Sequence, residues 1–172
     1  MANVLTVYFS LKGPTLGAMM RIVEQEKGNT EMAAEYIQRA VGGDLFEIET
    51  VKTYPKDHMK TIQEAKDELT AGIRVKIKGI PEQWSSYDTV YLGYPNWWDT
   101  LPMPVVTFLE QLDWTGKRII PFCTNEGSGL GQSVDAIRSN CKGAEVAEGA
   151  SFRGHKVKKE EKQIADWAKR ML

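Results

Sequence analysis

A doubly wound α/β fold, with a five-stranded parallel sheet and helices on both faces, is what the sequence predicts, and three observations lead there. Short apolar runs recur at residues 4–9, 45–48, 89–94, 118–122 and, more weakly, 145–152. Stretches with helical spacing separate them, and the joints between the two kinds of segment are short. Apolar runs without alternation suit strands covered on both faces. Strands that alternate with helices form parallel sheets, because right-handed crossovers lay each helix against a face.

The elements follow in order. After the first strand, residues 30–41 set Ala33, Ile37, Ala40 and Val41 on one side of a helix that leads to the strand at 45–48. Residues 50–79 hold Tyr54 and Pro55, then a polar stretch at 58–69 with Ile62, Ala65 and Leu69 at helical spacing, which reads as one exposed helix with irregular flanks. The third strand passes through a proline-rich loop into a helix at 105–112. The fourth leads to a helix at 131–139, and the fifth to a closing helix at 157–172. No repeat and no low-complexity linker interrupts the chain, so residues 1–172 are expected to form one domain.

Composition narrows the function. The chain has 172 residues, 42% of them hydrophobic and 26% charged, enough to bury one ordinary core. A formal charge of -1 offers no basic field for nucleic acid, and Glu160, Glu161 and Asp166 dilute the basic C-terminal stretch. The N-terminus lacks a basic leader, and no apolar stretch approaches a membrane span; a soluble, cytoplasmic protein is expected. Cys123 and Cys141 lack CxxC spacing and read as core thiols. His58 and His155 read as surface histidines, and neither a catalytic residue nor a metal ligand is assigned.

Ligands of open parallel sheets bind beyond the carboxyl ends of the strands, so the loops there carry the function. The first strand ends at Tyr8, Phe9 and Ser10, and the next helix starts with Gly28, Asn29 and Thr30. Free N–H groups at a helix start suit a phosphate, although Asn29 or Thr30 could equally serve as a plain N-cap. Neither a Walker loop nor a GxGxxG dinucleotide fingerprint is present. The loop after the third strand reads Gly93, Tyr94, Pro95, Asn96, Trp97, Trp98, and its paired tryptophans offer flat surface to a flat heteroaromatic ligand or pack as core caps. The loop after the fourth strand, Thr124, Asn125, Glu126, Gly127, Ser128, Gly129, lets backbone approach a ligand ring or forms a surface turn. Glu126 is expected to be solvated.

Taken together, Tyr8-Phe9-Ser10, Gly28-Asn29-Thr30, the GYPxWW segment and the PFCTxxGSG segment resemble the flavodoxin-like superfamily, and more closely a branch of small bacterial flavodoxin-family proteins. The resemblance implies strand order 2-1-3-4-5 and one FMN. It sets Ser10, Gly28, Asn29 and Thr30 around the phosphate, Pro95, Asn96, Trp97 and Trp98 beside the isoalloxazine, and Thr124, Asn125, Glu126, Gly127, Ser128 and Gly129 along its pyrimidine edge. Two departures stand out. Residues 11–27 separate Ser10 from Gly28, leaving residues 10–15 as a rival phosphate register and suggesting a flap or interface segment. Asp99 follows the tryptophans where the branch would carry glycine, and is expected to face solvent.

The activity so implied is electron transfer through FMN, with NAD(P)H as donor and a quinone-like acceptor. A flavodoxin-type carrier for redox proteins and a cofactor-free binding module are the alternatives, and a homodimer is compatible with the insert. Near-neutral charge disfavours steering toward a basic partner.

Overall fold

Parallel strands and helices alternate along residues 3–172, the part of the chain described by the computed structural model. Strand β1 (Val4–Tyr8) is followed by a hairpin, β2 (Gly13–Leu16) and β3 (Ile22–Gln25), then helix α1 (Asn29–Val41) and β4 (Asp44–Glu47). Next come α2 (His58–Ala71), β5 (Thr89–Pro95), α3 (Met103–Glu110), β6 (Arg118–Asn125) and α4 (Ser133–Asn140). Strands β7 (Glu145–Val146) and β8 (Ala150–Arg153) and helix α5 (Glu161–Met171) close the chain. The sheet runs β4-β1-β5-β6, with β7 and β8 both beside β6 and every pairing parallel. That is the expected 2-1-3-4-5 order.

The two faces of the sheet bury different sets of side chains, because successive residues of a strand point to opposite sides. Leu5, Val7, Val90, Leu92 and Ile119 join Val105, Phe108 and Leu109 of α3 and Ile137 of α4 in one core. Val4, Tyr8, Tyr91, Ile120 and Phe122 join Ala33, Ala34 and Ile37 of α1 and Ile164 and Ala168 of α5 in the other. The small alanines let α1 and α5 lie close. Gly93 belongs to this second face: a Cβ there would stand 2.1 Å from the ring of Phe122, so the aromatic fills the room that glycine leaves.

The fifth strand is split, where the sequence suggests one run. Ile119 pairs with Val146 but Phe122 with Ala150, so two residues of β6 face three of the neighbouring segment, as in a bulge. Pro121 lies at this break. It has no N–H to donate, and a Cβ on Gly149 would lie 3.2 Å from its carbonyl oxygen, so its polar edge faces the interruption.

Helix α2 takes the place expected for residues 58–69. The Asp57 carboxylate caps it by accepting the Lys60 N–H at 2.9 Å, and Gly72 ends it in the left-handed region at φ +63°. Its irregular flanks meet each other: Val51 N–H donates to the Lys76 carbonyl and Lys78 N–H to that of Glu49, extending the sheet edge beyond β4. The insert at 11–27 forms the antiparallel β2–β3 hairpin, a separate two-stranded sheet with Met19 and Met20 exposed at its tip.

Candidate functional site

A cleft of about 680 Å³ opens at the carboxyl edge of the sheet, where β1, β4 and β5 end. Strand order reverses between β1 and β5, so the position is the one that topology dictates for a ligand. One corner is built by the start of α1. A Cβ on Gly28 would stand 2.1 Å from Ser10 Oγ and 2.3 Å from the Leu11 carbonyl oxygen, so Gly28 lies directly against the end of β1. The Glu31 N–H donates to Ser10 Oγ at 3.2 Å. The hairpin therefore leaves and returns at nearly one point, and the insert lengthens the chain without opening the corner. The first-turn N–H groups of Asn29 and Thr30 have no acceptor within the helix. Thr30 Oγ1 is 2.7 Å from Thr124 Oγ1, tying α1 to the end of β6. Asn29 Oδ1 is buried without a hydrogen-bond partner among the described residues.

The floor is aromatic. Trp97 meets Phe9 edge to face at 5.4 Å and Tyr54 at 5.3 Å, and Tyr54 in turn meets Phe9 at 6.4 Å. Each such pair adds about 1 kcal/mol to the burial itself. The Tyr54 hydroxyl donates to Glu68 at 2.8 Å; burial, then this carboxylate, hold the phenol neutral far above its ordinary range. Lys52 pairs with Glu68 and Glu64 and lies 4.7 Å above the Tyr54 ring. Trp98 turns outward: its indole N–H donates to the Ile62 carbonyl at 2.9 Å and Lys66 covers its ring at 4.9 Å. The turn needs left-handed backbone at Trp98 (φ +54°) and Asp99 (φ +68°), which gives a physical reason for expecting glycine at residue 99. Asp99 is exposed and lies outside the cleft lining.

Of the residues singled out in the sequence, Ser10, Asn29, Thr30, Pro95, Asn96, Trp97, Trp98 and Thr124 all line this one cleft. Gly28 lies outside the lining and presses on Ser10 and Leu11, which are part of it. Asn125, Glu126, Gly127, Ser128 and Gly129 lie outside the lining. There Asn125 Oδ1 accepts the N–H groups of Gly127 and Gly129 at 2.9 and 3.0 Å, and Asn96 donates to the Gly129 carbonyl at 2.8 Å. Two N–H groups of that loop are thus already spent on shaping it.

Three expectations change. Glu126 is not solvated: its carboxylate accepts the His155 backbone N–H at 2.8 Å and stands 2.5 Å from His155 Nδ1, with its side chain only 11% exposed. Nor is His155 a plain surface residue, since this pair fastens the segment after β8 to the loop after β6. His58 belongs to the cleft wall rather than to open surface. Sequence reading did not place Tyr54 in the site; it lies in the irregular segment between β4 and α2 and lines the cleft.

Carboxylates border the corner as well. Glu47 and Glu49 line the cleft, and burial raises Glu47 above its ordinary range while the charge of Lys12 opposes that rise. The chain thus joins an open helix start, an aromatic floor and a mixed charged rim.

The flavodoxin family profile matches residues 3–171. This chain belongs to the flavodoxin family. It is similar to a crystal structure assigned as a flavoprotein from Bacteroides eggerthii DSM 20697, with 29% identity over 99% of this chain and 98% of that one and a TM-score of 0.78. A second such protein, from Bacteroides uniformis ATCC 8492, shares 24% identity over 98% of both chains at a TM-score of 0.76. A flavoprotein from Lactobacillus acidophilus NCFM, solved in complex with FMN, shares the fold at 20% identity, a TM-score of 0.66, and coverage of 92% of this chain and 98% of that one. No curated protein matches the chain. For a member of this family the two departures at residues 11–27 and 99 become a looped-out hairpin and a left-handed turn.

Proposed function

We propose that this chain binds one FMN in the cleft and transfers electrons through it, in the cytoplasm and as a single domain. The observation that carries the reading is the return of the chain to Ser10 at Gly28, which sets an open helix start and an aromatic floor in one cleft. Any Cβ on Gly28 would collide with Ser10 and Leu11, so glycine there lets the open helix start close onto the end of β1, and the unpartnered Asn29 Oδ1 awaits a donor; together they fit a phosphorylated, hydroxyl-bearing ligand. Ser10, Gly28, Asn29 and Thr30 surround the phosphate, the first-turn N–H groups supplying donors and the helix dipole a partial positive charge. Pro95, Asn96, Trp97 and Trp98 stand beside the ring. Thr124 meets it from the end of β6, and residues 125–129 border its pyrimidine edge. FMN when bound supplies one- and two-electron chemistry, and the protein orients it and excludes water.

The finer reading is NAD(P)H-dependent reduction of a quinone-like acceptor. It is supported by the extent of the cleft, which continues past the aromatic floor to a wall made by the segment after β4 and by His58, Thr61, Ile62 and Ala65 of α2. No helix of the described residues is long and apolar enough to cross a membrane. The test is a visible spectrum of the purified chain with and without added FMN, followed by NAD(P)H oxidation with a quinone panel. A bound-flavin spectrum and quinone-dependent turnover are expected. No spectral change with excess FMN overturns the cofactor, while bound flavin without turnover overturns only the acceptor and favours a carrier.

A further inference from the structure

The inserted hairpin does more than lengthen the chain, and what it delivers is a charge. Lys12, the second residue of the insert, lines the same cleft as Ser10, Asn29 and Thr30. Its ammonium lies 3.9 Å from Glu31 Oε2, too far for a hydrogen bond. That carboxylate oxygen is itself buried and accepts no hydrogen bond among the described residues, and Glu31 as a residue is only 8% exposed. So a lysine with unspent donors faces a carboxylate with an unspent acceptor, in the first turn of the helix whose N–H groups open into the cleft.

The charge balance of the corner decides what this arrangement is for. Glu35 is neutralised by Lys27, whose ammonium stands 2.8 Å from both its oxygens, and Glu49 by Lys78 at 3.1 Å. Glu31 and Glu47 remain; the charge of Lys27 also reaches Glu31, and among the described residues Lys12 is the cation that acts on both carboxylates. A phosphate monoester brings about -1.5 to -2 charges at neutral pH. Placed on the first-turn N–H groups it would meet a like charge at Glu31, and the helix dipole supplies only about half a positive charge against it. Lys12 offsets that like charge and adds donors to those of the helix start. Lysine suits the task, being a compact cation with three donors on a flexible stem that can turn from Glu31 to a ligand oxygen.

We propose that Lys12, carried into the phosphate corner by the β2–β3 hairpin, is the residue that makes the cleft select a flavin bearing a phosphate over the unphosphorylated flavin, with Glu31 as its resting partner. The inference rests on the FMN reading above. It adds a specificity-determining cation that the helix start alone does not provide.

The test uses the full-length protein freed of flavin and titrated separately with FMN and riboflavin, read by flavin fluorescence. The wild type is expected to prefer FMN, and that preference should shrink as salt rises, since an ionic contact is screened. Lys12→Gln should weaken FMN binding roughly tenfold, the loss of one charge-assisted hydrogen bond, and leave riboflavin unchanged. Glu31→Gln should act in the opposite sense, tightening FMN several-fold with no effect on riboflavin. Lys12→Arg should restore the preference. Lys162→Gln, which removes a charge from α5 far from the cleft, should change neither flavin. An FMN-to-riboflavin ratio in Lys12→Gln equal to that of the wild type, or a wild-type ratio indifferent to salt, overturns the proposal while leaving FMN binding in place. Failure of the underlying reading looks different: the wild type then quenches neither flavin.

Discussion

The two ends of the cleft are built on different principles. The phosphate corner is made of backbone: Gly28 pressed on Ser10 and Leu11, an open helix start, and a threonine pair that ties α1 to β6. The ring end is made of side chains, with Trp97 wedged between Phe9 and Tyr54 and Trp98 swung onto α2 over left-handed backbone. Backbone contacts at van der Waals range tolerate no added atom, whereas side-chain packing yields gradually. Substitutions at the first end should therefore be severe and specific to the phosphorylated ligand, and those at the second milder and shared by both flavins.

Gly28→Ala should break the comparison most sharply. The new Cβ meets a backbone carbonyl at 2.3 Å that cannot rotate away, so the corner must open. A loss of about 3 kcal/mol is expected in urea unfolding, the upper part of the range for overpacking. FMN affinity should fall by more than riboflavin affinity. Trp97→Ala comes next, costing about 2 kcal/mol because the ring is only partly buried, below the range for a fully buried tryptophan. Here FMN and riboflavin should weaken by the same factor, and a loss confined to FMN would mean that Trp97 does not face the ring.

Beneath the ring end lies dry core. Cys123, in β6 just before Thr124, is fully buried, and burial pushes its thiol from the usual 9.0 up to about 12, as it does for Cys141. Both acids are thus harder to ionise in the folded state than in the unfolded chain. The native state then holds more protons than the unfolded one between these two values, so stability is undiminished below pH 9 and declines as pH rises toward 12. Thiol labelling at pH 8 should be negligible in the native protein and complete in urea. Fast native labelling would show that the ring end rests on an open cavity. The smallest effect is expected at Asp99, where glycine relieves the left-handed backbone at φ +68°. Asp99→Gly should stabilise by about 0.5 kcal/mol in the same urea assay, since aspartate tolerates this region better than most residues and glycine carries its own entropic cost.

How much could be read from the sequence follows the same division. The parallel strands and all five α-helices were legible, because continuous apolar runs and helical spacing report burial directly, whereas the strand order came from the family resemblance. Gly28-Asn29-Thr30 was legible as a helix start, while its nearness to Ser10 followed from the family resemblance alone, since sequence separation says nothing about a hairpin whose ends meet. Tyr54 went unread because it lies in an irregular stretch where no periodicity marks a buried ring. Glu126 and His155 were misread as solvated because their partnership joins the loop after β6 to the segment after β8, a long-range contact with no local signature. Pro121 was read within a continuous fourth strand, which it is, and only the structure shows that the neighbouring fifth strand is interrupted beside it.

The most direct measurement is a crystal structure of the protein soaked or grown with FMN. The phosphate is expected within hydrogen-bond reach of the Asn29 and Thr30 N–H groups and the ring against Trp97, with Lys12 turned from Glu31 toward the phosphate. Flavin density seated elsewhere on the molecule, or a phosphate lying away from the start of α1, would contradict that expectation.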